Sequence, residues 1–325
     1  MPRHLLGKMP RPSVHLPIVQ QNAKMAPLVW LITGSTSGSG LALVSALSAR
    51  GDQVIATGRD ASTRLAHLRS LTVAVLDLDV TAPLTSIQAV IATAVAIFGR
   101  VDVLVNNAGV WRMSALEEAS EAFVQGIFDV NLFGAVKATQ AMLPHMRAAK
   151  QGTVVFIGAG LGWAAIPFVG YYSLTKAALT MFAESLQKEI GGLGLRSIIF
   201  EPGGFDSDIG APREGEIAFQ GPYIDDYQPL FGKSFGGPPP KLAGDITKIP
   251  GAIIDVIKGE GAAKGRPFPV RVVLGPDSLD VIRQKCTEQL QLLDDWADVS
   301  LSTMIEGQRE TAPFLMDICS ILPKA

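Results

Sequence analysis

Cysteine is nearly missing from this chain of 325 residues: Cys286 and Cys319 are the only two, both lie near the end, and neither has metal-ligand spacing. That excludes a disulfide framework and a zinc site, and it leads us to expect a reducing, cytoplasmic setting with no bound metal. A basic excess is lacking too, since 28 Lys and Arg stand against 30 Asp and Glu for a formal net charge of -2. Nucleic acid is therefore not an expected partner. Acidic residues are absent from the first two dozen positions, where prolines interrupt a segment carrying Arg3, Lys8, Arg11 and Lys24. This predicts a basic tail over 1–26; it has no apolar core of a secretory signal, and Met25-Ala-Pro offers an alternative start just before the first apolar run. The longest uncharged run, 151–175, is long enough to span a bilayer, but Gly158, Gly160, Gly162, Pro167 and Gly170 break it, so no stable membrane span is expected.

What is present is a rhythm. Apolar residues make up 48% of the chain and charged ones 18%, enough for a substantial core. Short β-branched runs at 28–32, 53–57, 73–76, 101–105, 153–157, 195–200 and 271–274 alternate with helical patterns at 41–49, 86–98, 134–146, 177–190, 245–258 and 279–298. That alternation predicts an α/β fold, a Rossmann-like doubly wound parallel sheet in a single domain over 27–300. Between about 203 and 245 the chain turns rich in Gly, Pro and aromatics, which predicts a substrate loop closing as a lid. Residues 301–325 read as a C-terminal tail.

Directly after the first strand comes Thr33-Gly34-Ser35-Thr-Ser37-Gly38-Ser-Gly40, opening a helix. Glycines there let the backbone turn tightly and approach a pyrophosphate, which the free N–H groups of the helix start would bind. At the tip of the second strand, Gly58 stands where an acid would select NAD by binding the adenosine ribose, and Arg59 follows it. A guanidinium without a competing acid grips a 2′-phosphate, so the expected cofactor is NADP(H), preferred over NAD(H). Further along, Tyr172 and Lys176 stand four residues apart in the first turns of a helix, on one face. A cation held there favours the phenolate and makes the hydroxyl a general acid or base at a carbonyl.

Together these residues resemble the short-chain dehydrogenase/reductase family over about 28–207. The resemblance rests on the Thr-Gly-x-x-x-Gly-x-Gly loop, Asp79-Val80 after the third strand, Asn106-Asn107-Ala108-Gly109 after the fourth, Asn131 in Val-Asn-Leu-Phe-Gly134, Tyr172 with Lys176, and Pro202-Gly203 after the sixth. It implies that Asp79 and Val80 hold the adenine, that Asn106 to Gly109, with Asn106, Ala108 and Gly109 nearest the cofactor, support the cofactor and the sheet, and that Lys176 also binds the nicotinamide ribose. It further implies that Asn131 kinks a helix and anchors a proton relay, and that Ser207 contacts the carboxamide beside Pro202 and Gly203. Pairing through 134–146 and 177–190 into a homodimer or homotetramer is expected on the same ground. The C-terminal half resembles fungal oxidoreductases of the family, which implies a role in secondary metabolite biosynthesis.

One family feature is missing. The serine that binds the substrate oxygen falls at Ala159 here, with Gly158 or Gly160 as the neighbouring registers, and no Ser or Thr occurs from Val154 to Tyr171. Three readings stay open: a reductase in which Trp163, Tyr171 or a loop residue supplies the donor; a variant weakened by loss of the serine; or a non-redox enzyme, an isomerase, dehydratase or cyclase, in the same pocket. An NADP-sensing binding protein is a further alternative. The intact cofactor loop and Tyr/Lys pair favour an NADP-dependent oxidoreductase. Trp111, Trp163, Phe168, Phe219, Tyr223, Tyr227 and Phe231 are the expected pocket walls, for a bulky apolar small molecule.

Overall fold

A computed structural model describes residues 26–205, 217–218, 222–235, 244–305 and 319–320. Its centre is a seven-stranded parallel sheet of β1 (Val29–Ile32), β2 (Gln53–Gly58), β3 (Val73–Asp77), β4 (Val103–Asn106), β6 (Gly152–Ile157), β7 (Leu195–Pro202) and β9 (Arg271–Leu274), in the order β3-β2-β1-β4-β6-β7-β9. Two-residue strands β5 (Met113–Ser114) and β8 (Ile217–Ala218) pair apart from it.

The strands are apolar on both faces, and alternation sends neighbours to opposite layers. Val29 and Leu31 pack in one core with α3 (Leu84–Phe98), α5 (Gly134–Ala149) and α6 (Gly170–Ile190). Trp30 and Ile32 pack in the other with α1 (Gly38–Ala49) and α8 (Ile249–Lys258). The remaining helices are α2 (Ala61–Arg64), α4 (Glu121–Phe128), α7 (Ile224–Phe235), α9 (Pro276–Asp295) and α10 (Ala297–Leu301). Buried acids fasten the amino ends of the strands: Asp52 accepts from Leu28 N at 2.9 Å and Lys258 Nζ at 2.8 Å, and Asp102 accepts from Val29 N at 2.8 Å.

All seven predicted strands are present, with β4 starting two residues later than its apolar run. Three other expectations change. The helix after the glycine loop begins at Gly38, not Leu41, so Gly38 and Gly40 lie inside its first turn. Asp245 forms a local turn, accepting from Thr247 N and Oγ1, and Lys248 is the residue that precedes α8. The loop over 203–245 contains a three-turn helix, α7, in which Pro229 is tolerated. Residues 1–25 and most of 306–325 lie outside the described residues. Among the described residues no helix is long and apolar enough to cross a membrane, and no three His, Cys, Asp or Glu side chains cluster as metal ligands.

The strand order reverses between β1 and β4, and the crevice beyond their carboxyl ends is where a ligand of an open parallel sheet sits. The loops carrying the predicted residues all leave the sheet on this edge.

Candidate active site

The loop after β1 is stitched to the loop after β4. Thr33 Oγ1 accepts from Asn107 N and Ala108 N, both at 3.1 Å, and Asn107 Nδ2 donates to the carbonyls of Thr33 and Gly34, both at 3.0 Å. Ser39 Oγ adds a bond to Asn107 Oδ1 at 2.7 Å. Gly34 has φ +68° and a Cβ there would lie 2.7 Å from Ala108 Cα, so no other residue fits without moving the loop. Gly38, at φ +54°, faces open space. Ser37 precedes α1 without a capping bond, and the first-turn N–H groups stay available to an anion above the loop. Ser35 points inward instead, donating to Ile32 O at 2.9 Å.

The adenosine end is set by three residues. At Gly58 a Cβ would meet Thr36 Cγ2 at 2.9 Å, so a side chain there would have to displace the Thr36 methyl, and Arg59 beside it is exposed. Asp79 accepts from Thr81 N and Oγ1, and although burial raises its pKa, these bonds and the nearby Arg59 hold it below the ordinary carboxylate value. Val80 packs against Gly134, where a Cβ would lie 2.7 Å from Val80 Cγ2.

Tyr172 and Lys176 enter the crevice from the first turns of α6, both buried. Trp111 covers the Tyr172 ring with centroids 4.8 Å apart. Lys176 Nζ lies 5.6 Å from that ring centroid and donates to Ile157 O at 2.8 Å. Burial here works against the expected pull of the lysine toward phenolate. Burial dominates: it pushes the Tyr172 hydroxyl up and lowers Lys176 to about 8. Tyr172 is therefore a neutral phenol at physiological pH.

Asn131 sits in a π-helical turn, Asp129–Phe133, between α4 and α5. Its Oδ1 accepts from Val110 N at 2.7 Å, and its Nδ2 donates to Val110 O at 3.0 Å and Thr175 Oγ1 at 3.2 Å. This ties the turn after Gly109 to the Tyr172 helix. A side chain at Gly109 would project to 3.5 Å from Asn131 Oδ1 and 3.7 Å from Lys176 Nζ.

Ala159 shares an apolar cluster with Tyr172, Ile127 and Val169. A Cβ at Gly158 would meet Ile199 at 2.9 Å and one at Gly160 would strike Ser278, so of the three registers only residue 159 turns toward Tyr172. Neither named substitute donor is free. Trp163 Nε1 donates to Glu201 Oε1 at 2.9 Å with its face 4.2 Å from the Arg271 guanidinium, and Tyr171 donates to Leu116 O at 2.8 Å. Trp163 therefore leaves the predicted pocket wall, because its indole N–H finds a buried carboxylate behind it.

Phe168, at φ +67°, turns its ring onto Tyr227, Phe231 and Phe235 of α7, with centroids 5.6–6.4 Å apart. Tyr227 donates to Glu117, and Tyr223 N to Glu118 at 2.8 Å, which ties α7 to the segment after β5. An open cleft of about 260 Å³ adjoins α7, lined by Ala115, Leu116, Glu117, Pro167, Phe168, Tyr227 and Leu230, and none of Tyr172, Lys176 and Ala159 reaches its wall. Tyr223 is exposed; Phe219 and Ser207 lie outside the described residues. Pro202 ends β7, and Gly203 is pinned by its N–H to Leu274 O at 2.8 Å, with Asp277 where its side chain would be.

Sequence reading placed Asn107 in the supporting run from Asn106 to Gly109 without saying that it is the prop of the glycine loop. Strand alternation is the signal that finds it: Asn106 turns inward to Thr139 Oγ1 at 3.1 Å, so its neighbour must face the loop. It missed the ionic cluster behind the site. Arg271 binds Glu201 through Nε at 3.2 Å and Nη2 at 2.6 Å, and Glu184 through Nη1 at 2.7 Å. Thr180 Oγ1 joins Glu201 to Lys176 O.

Comparison with known proteins agrees with this geometry. The short chain dehydrogenase family model matches residues 28–217. The 3-ketodihydrosphingosine reductase of Bacteroides thetaiotaomicron is 34% identical over 69% of this chain and 84% of its own, and Oxidoreductase BOA17 of Botryotinia fuckeliana is 31% identical over 85% and 98%. The crystal structure of a short-chain dehydrogenase from Streptomyces avermitilis superposes with a TM-score of 0.74 at 32% identity, covering 87% of this chain and 100% of that one. The closed form of a serine dehydrogenase complexed with NADP+ gives 0.64 at 25% identity, covering 77% and 96%. A glycine loop at the β1/β4 crevice, a Tyr/Lys pair on α6 and this likeness over most of the chain place it in one family: the chain belongs to the short-chain dehydrogenases, and it is an oxidoreductase.

Proposed function

We propose that the chain is an NADP(H)-dependent reductase that takes a carbonyl of a bulky apolar small molecule to the alcohol, with Tyr172 as proton donor. The observation that carries this reading is a buried neutral phenol beside a buried ammonium and Asn131, at the crevice that the glycine loop also lines. A nicotinamide dinucleotide suits the residues there: the open space over Gly38 and the free N–H groups of α1 suit a pyrophosphate, and the gap at Gly109 opens toward Lys176. Thr33, Gly34, Ser37, Gly38 and Gly40 would hold the phosphates, Asp79 and Val80 the adenine, and Tyr172 and Lys176 the ribose near Pro202 and Gly203. The cofactor supplies hydride.

The protein supplies the proton. A phenol kept protonated by burial is able to donate to an oxygen gaining negative charge, as the reducing direction requires. Lys176 holds positive charge beside the ring, and Asn131 fixes the spacing between Gly109 and α6. Arg59, with no acid at Gly58, supports NADP over NAD, and a relative of known structure binds NADP+. Trp111, Phe168, Tyr227 and Leu230 support an apolar substrate, polycyclic or lipid-like, and one relative is named for a keto lipid. A polycyclic product would suit secondary metabolism.

Ala159 favours a second reading, a non-redox reaction in which Tyr172 only moves protons, because the residue in the serine's place has no hydroxyl and packs in an apolar cluster with Tyr172. Product analysis with apolar ketones, with and without NADPH, separates the two. The reductase reading expects alcohol formed only with NADPH, and tighter binding of NADPH than NADH. Product that forms equally without cofactor selects the non-redox reading.

A further inference from the structure

Two loops of the site, the one after β6 that carries Ala159 and the one after β7 that begins at Gly203, rest on a corner distant in sequence, the turn Gly275-Pro276-Asp277-Ser278 between β9 and α9. Ser278 is buried, donates to Glu201 O at 3.2 Å and fills the space that a side chain at Gly160 would need. Asp277 holds the second loop. Its Oδ2 accepts from Gly204 N at 2.6 Å, and the preceding N–H, that of Gly203, donates to Leu274 O at 2.8 Å. Its Oδ1 stands where a Cβ at Gly203 would go, buried and with no hydrogen-bond partner among the described residues. Phe205, next in the chain, has its ring 3.4 Å from where a Cβ of Gly275 would lie and pairs with Gly244. The corner therefore also fixes the point at which the segment 203–245 leaves the body and returns.

An acid in the first turn of a helix ordinarily serves that helix, by bonding its free N–H groups or offsetting its dipole. Asp277 is such an acid by position, yet the bond it makes leaves its own helix for Gly204. Its unpaired buried oxygen is a cost to the fold, so stability alone does not account for a carboxylate here. We infer that Asp277 is a positioning residue for the nicotinamide end of the cofactor: by fixing Gly203 and Gly204 it fixes the loop against which that end rests. The inference depends on the reductase reading for what the loop holds, since that reading puts the nicotinamide ribose near Pro202 and Gly203. It adds a residue from outside the stretch 28–217 that the motifs occupy. The place of the accepting oxygen, and not the charge it carries, is what the loop requires.

Variants of the full-length protein separate place from charge. Asp277→Asn keeps an acceptor in place without the charge, Asp277→Glu keeps the charge but carries the oxygen one methylene further, and Asp277→Ala removes both. Each is titrated with NADPH, following the fluorescence lifetime of the bound nicotinamide, and assayed for turnover of an apolar ketone. Asp277→Asn is expected to match the unsubstituted protein in lifetime and kcat. Asp277→Glu and Asp277→Ala are expected to shorten the lifetime toward that of free NADPH and to lower kcat by about 10- to 100-fold, as a misplaced reacting group does. Their Kd for NADPH should change far less, because the adenosine and pyrophosphate are held by other loops. Normal values in Asp277→Glu with a loss in Asp277→Asn would make charge the property that matters and overturn the inference. So would a parallel loss of Kd, lifetime and melting temperature in all the variants, the mark of a residue that only supports the fold. An unchanged lifetime in every variant, with NADPH bound normally, overturns this inference alone, whereas an unsubstituted protein that binds no NADPH overturns the reductase reading with it.

Discussion

Tyr172 and Lys176 carry opposite consequences of one cause. Burial keeps the phenol protonated, ready to donate, and at the same time lowers Lys176 to about 8 from 10.5. For Lys176 this is a cost to folding, on the order of 3 kcal/mol. Its folded pKa lies below the unfolded one, so the penalty is full below pH about 8 and fades as pH rises toward 10.5, where the unfolded chain also sheds the proton. Lys176→Met should therefore stabilise the fold, on the order of 2 kcal/mol at neutral pH and less above pH 9, while abolishing turnover; denaturant melts across pH check the first and a rate assay the second. In the unsubstituted enzyme kcat/KM should fall on the alkaline side with a midpoint near 8, as the ammonium beside the phenol is lost. Ala159→Ser puts a hydroxyl in the cluster that holds Tyr172 and should raise kcat for a ketone by about 10- to 1000-fold, measured at saturating NADPH. The spacing of Tyr172 and Lys176 and the absence at 159 were legible in the sequence. The direction of the tyrosine's shift was not, because it depends on how much water the surrounding loops exclude, which no local spacing reports.

At the scale of elements, the glycine loop and the loop after β4 form one unit. Gly34→Ala should lose NADPH binding, by fluorescence titration, because the added Cβ meets the Ala108 backbone at 2.7 Å and the φ of +68° is strained for alanine. Behind the site, Arg271 holds β7, α6 and the Trp163 loop together through Glu201 and Glu184. Among the described residues it is the only cation on two buried carboxylates; removing it leaves Glu201 with just the neutral donors Trp163 and Thr180, and Arg271→Leu should cost about 3–5 kcal/mol in urea unfolding. The glycine loop announces itself in sequence because its glycines are local requirements of the backbone. The ionic cluster does not, since Glu184, Glu201 and Arg271 come from three separate elements and only the sheet brings them together. Helix α7 was hidden for another reason: Pro229 and Gly232 lower its propensity, and Phe168 packing on Tyr227, Phe231 and Phe235 outweighs that.

For the whole molecule, fold class, strand set and crevice were all readable, because strands buried on both faces leave short β-branched apolar runs that alternate with longer helical segments. The small β5/β8 pair was not, being two residues long. What the assembled molecule adds is the meeting, on one edge of the sheet, of the glycine-loop crevice, the buried Tyr172/Lys176 pair and the aromatic side of α7, and the proposed reductase reading rests on that meeting. The most direct test of that account is stoichiometry: NADPH consumed and alcohol formed from an apolar ketone, for the unsubstituted protein and for Tyr172→Phe. The account predicts one alcohol per NADPH, and a loss of at least about a hundredfold in rate without the phenol while NADPH binding persists. Alcohol formation that survives Tyr172→Phe at the original rate would contradict it.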